Sequence, residues 1–305
     1  MLYCIAAILI LGGSEAVEAS GNQTSFSEVY AEAVWIHKEL SLIQRHMGVS
    51  ALENVEQFNA VLKPHHVMAK SYLVLVKLNI FRSNNGLPRI TPNALEPVRR
   101  LNPALVYGQT QRILTELRII KRHFGINGQT PKPDVVPGKK PIDVFNRLHA
   151  ISLDLDALNN QQIDPPYVFA EVMRLYEDVS YFLRQLGIKD NTFPPARQSN
   201  IIPGDSFKVS FGVMKEIQRI QRILGASHTS FSAFDKQQDV VPSDVFNMVS
   251  MCLAEFQIVK AHMKITRITP AAHLLTNNKT PDDIYQLLRW IRRKLRLVQA
   301  DTIQG

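Results

Sequence analysis

Apolar side chains recur along this chain in alternating steps of three and four residues. From Val29 they fall at Ala33, Ile36, Leu40 and Ile43; from Val144 at Leu148, Ile151, Leu155 and Leu158; from Ile284 at Leu288, Ile291, Leu295 and Val298. That spacing lays one apolar stripe along an α-helix. The stretches open on a shared phrase of Pro, two residues, an aliphatic and an aromatic, as in KPIDVFNRL, VPSDVFNMV and TPDDIYQLL. Eight helices are predicted on this basis.

With the aliphatic of the phrase as anchor, the eight stretches begin at Val29, Val67, Val106, Val144, Val168, Ser206, Val245 and Ile284, at successive intervals of 38, 39, 38, 24, 38, 39 and 39. Adding 139, 139, 139 and 140 in turn to the numbers of the first four anchors gives the last four. The expected fold is therefore all-α: an internally duplicated helical-repeat array, made of two tandem four-helix units at 24–160 and 161–300 with long connecting segments.

The helix boundaries carry their own signals. Pro64, Pro103, Pro141, Pro165, Pro242 and Pro281 stand three residues before an anchor, where a first-turn proline loses no hydrogen bond. Asn102, Asp164 and Thr280 precede prolines as N-cap candidates, and Glu28, Asp143, Asp244 and Asp283 place negative charge in the first turn. Gly48, Gly125, Gly187 and Gly225 each lie nineteen residues after an anchor, as a left-handed C-cap requires. His46, His123 and His262 share one position beside the C-cap, where a cation complements the helix dipole better than it suits a metal.

Connections of sixteen to eighteen residues are longer than antiparallel neighbours need. A helix of about 20 residues is ~30 Å long, and sixteen extended residues can run back over that length. The connections are therefore either return segments that make successive helices parallel, or they hold a short helix of their own; SALENVEQFNAVL has a helical pattern. The short break NNQQIDPP suits a tight antiparallel junction between the halves.

The first nineteen residues stand apart. YCIAAILILGG followed by SEAVEAS, with Val17 and Ala19 before the cut, reads as a signal peptide over 1–19 and points to a periplasmic or secreted protein. The basic segment that usually precedes the apolar run is missing, so a buried first helix and a retained anchor are the other readings of these residues. Net charge is +8, and losing Glu15 and Glu18 with the leader raises it to +10. Cys252 is then the sole thiol, which forbids an internal disulfide and reads as a buried, inert side chain.

Few positions suggest chemistry. Ten residues after the anchor stand Glu39, Glu116, Asp154, Asp178, Glu216 and Glu255, with Lys77 and Lys294 in the other two stretches. Six equivalent acids look like a register device that bonds a neighbouring helix or a loop amide; the other reading is a polar lining for a ligand or cation. Adjacent His65 and His66 are expected to point in different directions and so not to share a metal. No Glu-x-x-His pair, glycine-rich phosphate loop, H-E-x-x-H or G-x-S-x-G occurs, so no catalytic residue, metal or cofactor is expected.

The last helical stretch departs most from its siblings. Arg289, Arg292, Arg293 and Arg296 share one face, with Trp290 between that face and the apolar stripe. Such a helix would suit a protein partner in the cell envelope or an anionic membrane surface, and export would remove nucleic acid as a partner. The function expected is that of an exported, non-catalytic helical-repeat protein, not an enzyme, that presents a surface for protein–protein interaction. The alternative is a small-molecule-binding or sensory module with its ligand between the two halves.

Overall fold

A computed structural model describes residues 24–52, 55–91, 101–160, 163–235, 239–272 and 278–304. The first nineteen residues, read above as a signal peptide, lie outside the described residues. Among those described, the chain is all-helical with no strand and forms nine α-helices: α1 (Phe26–Met47), α2 (Pro64–Asn84), α3 (Pro103–His123), α4 (Pro141–Asn159), α5 (Pro165–Gln185), α6 (Pro203–Ile223), α7 (Pro242–His262), α8 (Pro281–Leu295) and α9 (Ala300–Gln304). A 3₁₀ turn, Ser232–Phe234, precedes α7.

Seven of the first eight helices open on a proline, and the residue just before the anchor closes the first turn. The side chains of Glu28, Asp143, Asp205, Asp244 and Asp283 each accept the backbone N–H three residues upstream, at 2.6 to 3.2 Å. His66 does the same for Lys63 through Nδ1, at 3.0 Å. Each such cap satisfies a helix-end donor and is worth about 1 kcal/mol. Asn102 caps α3 by accepting the Leu105 N–H, whereas Asp164 makes no such bond to α5. At the other ends, Gly48, Gly125, Gly187 and Gly225 adopt φ of 67 to 70°, and the next residue returns its N–H to a carbonyl one turn back, as Ile126 does to Lys121 at 2.9 Å.

The helices run parallel within two groups. Pro165, Pro203, Pro242 and Pro281 line one small apolar recess together with Val168, Ser206, Val245 and Ile284, so α5 to α8 all start at the same end. In the first group, Ser27 at the start of α1 meets Lys139 just ahead of α4, Tyr107 early in α3 bonds Glu32 early in α1, and Lys77 in mid-α2 meets Ser152 in mid-α4. The adjacency is the same in both: α1 and α2 each pack on α3 and α4, and α5 and α6 each pack on α7 and α8.

Parallel packing requires the connections to run the length of a helix, and the described ones show such a path. Leu52 and Phe58 both lie along α4, with Leu52 N–H on Asp154 and both backbone groups of Phe58 bonded by the Asn146 amide at 3.0 Å. Residues 130–139 descend along α1 in the same way, and residues 190–201 along α8, held by Trp290, Gln286 and Asp282. The helical pattern of SALENVEQFNAVL is not realised in its described part: residues 55–63 form no helix. Phe58 is buried against Phe145, His149 and Phe234, and tertiary contact overrides the local preference.

α2 and α7 join the groups. Neither has a solvated face; α2 is buried from His65 to Arg82 at every position but Met68, and α7 is buried almost throughout. A helix apolar all round belongs in an interior. One face of α2 (Val67, Val74, Leu78, Phe81) enters the core of its own group, and the other (Ala69, Leu73, Val76, Ile80) enters the core formed by α5 to α8. The first turn of α2 lies at mid-α7, while Tyr72 stacks on Phe246 near the start of α7, so these two helices are antiparallel.

Candidate functional site

The eight positions ten residues after the anchor are engaged within the protein. Glu39 accepts Lys121 Nζ and both the N–H and hydroxyl of Thr130, at 2.9 and 2.6 Å for the latter two. Asp178 accepts Lys260 at 3.0 Å, Gln257 at 3.2 Å and the hydroxyl of Thr269. Asp154 bonds His37 at 2.7 Å and Leu52 N–H at 3.2 Å, Glu116 bonds Arg82 at 2.7 Å, and Glu216 bonds Arg219 and Arg296. Lys77 bonds Asp156 and the Ser152 carbonyl, and Lys294 bonds Asp190. These side chains tie helix to helix and helix to return segment. Burial would raise the carboxyls of Glu39 and Asp154, but their cationic, hydroxyl and amide donors hold both below the ordinary range.

Glu255 is the exception in kind, because two of its donors, His65 and His66, come from the other helix group. His66 Nε2 lies 2.6 Å from Glu255 Oε1 and His65 Nε2 lies 3.3 Å from it, while Gln221 of α6 donates to Oε2 at 2.6 Å. The adjacent histidines therefore do not point apart: their ring centroids are 4.0 Å from one another and both reach one carboxylate. Burial pushes His66 down to about 4, and Glu255 is held well below the carboxylate range by its donors against the opposing effect of burial.

Among the described residues this trio is the group whose ligand atoms are close enough to hold a metal ion. The hydrogen-bond pattern speaks against that use. His66 Nδ1 accepts the Lys63 N–H, so in the neutral ring the proton sits on Nε2 and is donated to Glu255. A metal at Nε2 would need that nitrogen as a lone pair.

Elsewhere between the groups, α2, α4, Leu52, Val55, Glu56 and the start of α7 line a cleft of about 310 Å³. Lys70, Lys77, His149, Ser152, Ser243 and Asp244 line it. Lys70 Nζ lies 3.1 Å from His149 Nδ1, and Lys77, fully buried, sits 2.6 Å from Asp156. Burial lowers Lys77 and raises Asp156, so both are drawn toward their neutral forms while each supports the charge of the other. The cleft therefore offers cation, anion and hydroxyl within one enclosure. Of its lining, Lys77 stands at the repeated position ten residues after an anchor and Asp244 at the repeated first-turn acid position.

The basic face predicted on the eighth helix is partly turned inward. Trp290 donates to Thr192 at 2.9 Å and packs on Tyr176, and Arg292 lies over Gly212 of α6, where a Cβ would meet its guanidinium at 3.1 Å. Arg296 bonds Glu216 at 2.8 Å, and Arg289 sits over the Tyr285 ring. Arg293 and Arg296 are exposed. Cys252 is fully buried, and burial pushes its thiol far up. No described helix is long and apolar enough to cross a membrane.

No family model, no curated protein and no solved structure matches this chain.

Proposed function

We propose that the chain is an exported, non-catalytic binding protein made by duplication of a parallel four-helix bundle, residues 24–160 and 161–300, and that its outer surface engages a protein partner. The observation that carries this reading is the recurrence of one polar network at one interval. Adding 139 to the numbers of Glu39, Lys121 and Thr130 gives Asp178, Lys260 and Thr269, and the two sets bond alike. The same shift carries the bonded pair Arg82 and Glu116 onto the bonded pair Gln221 and Glu255. A network copied in both halves holds return segments in register, which is a structural task, and it leaves recognition to what the copies do not share.

What they do not share includes the arginines Arg289 and Arg293 on the outer side of α8. Replacing Arg289 and Arg293 together by Gln is expected to abolish salt-sensitive capture of a partner from the cell envelope while leaving the thermal midpoint unchanged. Capture that persists at wild-type strength removes this face as the contact.

A second reading, a small-molecule or sensory module, is favoured by the cleft between the bundles. Its mixed lining suits a ligand carrying both an amine and an acid group. A metabolite that raises the unfolding midpoint of the wild-type chain, but not of Lys70→Met, supports it; equal rises in both place the ligand elsewhere.

A further inference from the structure

A groove of about 530 Å³ lies on the first bundle between α1, the last turns of α3 and residues 126–130. Its floor is the network of Glu39, Lys121 and Thr130. Its walls carry Trp35, Arg118 and Arg122. The Trp35 indole N–H is fixed on the Thr130 carbonyl at 3.1 Å, and the Arg118 guanidinium lies over the indole, 4.8 Å from the ring centroid. Arg118 and Arg122 are exposed. The one acid of the groove, Glu39, is taken by Lys121 and Thr130, and among the described residues neither arginine has a carboxylate in ion-pair reach. Two like charges thus converge in one concavity without a counter-charge.

The fold does not require them. At the corresponding place of the second bundle, Asp178 holds Lys260 and Thr269 as Glu39 holds Lys121 and Thr130. Yet the shift that relates those networks carries Trp35, Arg118 and Arg122 onto Arg174, Gln257 and Ala261. Arg174 is buried on Glu171 and the Pro270 carbonyl, and Gln257 is buried on Asp178 and Thr269. The helix dipole accounts for a cation in the last turn of α3, such as Arg122, but falls off before reaching Arg118.

We infer that this groove binds a phosphate monoester, with Arg118 and Arg122 clamping its oxygens and the Trp35 indole flanking whatever the phosphate is attached to. Guanidinium forks match phosphate oxygens in pairs, and a monoester carries close to the two negative charges that the arginines lack. The same chemistry is offered by a soluble phosphorylated metabolite and by a lipid headgroup. The comparison between halves rests on the duplicated reading; the test reads the groove alone.

The chain holds two tryptophans, so Trp290→Phe leaves Trp35 as the reporter. In that background, phenyl phosphate titrated to ~10 mM at constant ionic strength is expected to shift the Trp35 emission saturably. The shift should weaken about tenfold or more in Arg118→Gln/Arg122→Gln, and less in Arg118→Lys/Arg122→Lys, which keeps the charge and loses the fork. The Arg289→Gln/Arg293→Gln control should titrate as the parent does. Phosphatidic acid vesicles form the second arm. A response to phenyl phosphate assigns a soluble ligand and a response to vesicles alone assigns a lipid headgroup, provided the arginine variant loses it. No saturable response in either arm, a response that survives in Arg118→Gln/Arg122→Gln, or equal loss in the α8 control overturns the inference.

Discussion

His66 should make the stability of this protein fall with acidity in a window that a single substitution removes. Its ring caps α2 through Nδ1 and donates Nε2–H to Glu255, so it is held neutral and fully buried between the two helix groups. Burial takes it from an ordinary 6.5 down to about 4. In the unfolded chain it takes up a proton as pH drops through 6.5, whereas the folded protein resists until about 4. Between those values the unfolded state binds more protons, so unfolding free energy rises with pH and is lost as pH falls. Each pH unit is worth about 1.4 kcal/mol, and the interval therefore amounts to about 3 kcal/mol. His66→Gln keeps a side chain suited to the capping position but does not titrate. Urea unfolding followed by circular dichroism at pH 7, 6, 5 and 4 is expected to show a wild-type curve steeper than that of the variant by that amount. Carboxylates elsewhere act on both proteins and cancel in the difference. Parallel curves would refute the reasoning, since they would mean that His66 is already protonated in the fold or is exposed.

Three further outcomes follow from the same geometry. Lys121→Met strands the buried Glu39 carboxylate and should cost about 3 kcal/mol or more in thermal or denaturant unfolding, and Lys260→Met should cost a similar amount through Asp178; a near-neutral result in either would show that the network is solvated. Gly125→Ala places a side chain at φ 68° and should destabilise by about 1 kcal/mol in the same assay, although nothing obstructs the added Cβ. In a Cys4→Ser chain, Cys252 should react with a thiol reagent only as fast as the protein unfolds, because it is fully buried and its thiolate is disfavoured; rapid reaction without denaturant would contradict the packing of α7.

The starts of the first eight helices and most of their stops were legible because they depend on local chemistry, whereas the short α9 carries no such phrase. A proline at the first turn, an acid one residue before the anchor and a glycine nineteen after it each act within one helical turn of themselves. The direction of neighbouring helices was not legible, since a connection of sixteen residues serves a return path and a short helix equally; contacts such as Asn146 with Phe58 decide between them. The seam was hidden for a related reason. α2 and α7 read as two repeats among eight, and only their lack of a solvated face marks them as interior. His65 and His66 looked unrelated to any partner because Glu255 lies 189 residues beyond His66 and on the far side of that seam. The acids at the repeated position could be read as structural, but their donors, Lys121 and Thr130 among them, sit in other helices and loops at distances that periodicity does not encode.

The order in which helices pack also governs how the chain can assemble. α1 rests on α3 and α4 and makes no substantial contact with its immediate successor, and α5 stands in the same relation to α7 and α8. No hairpin of the first two helices is available as an early nucleus, so the stripe of Val29, Ile36, Leu40 and Ile43 stays uncovered until more than seventy residues further have been made. Contacts of such long sequence separation slow folding relative to an up-and-down bundle of the same size. The emerging chain is correspondingly long exposed to aggregation or to chaperones, and α2 finds its second partner only after α7 has arrived.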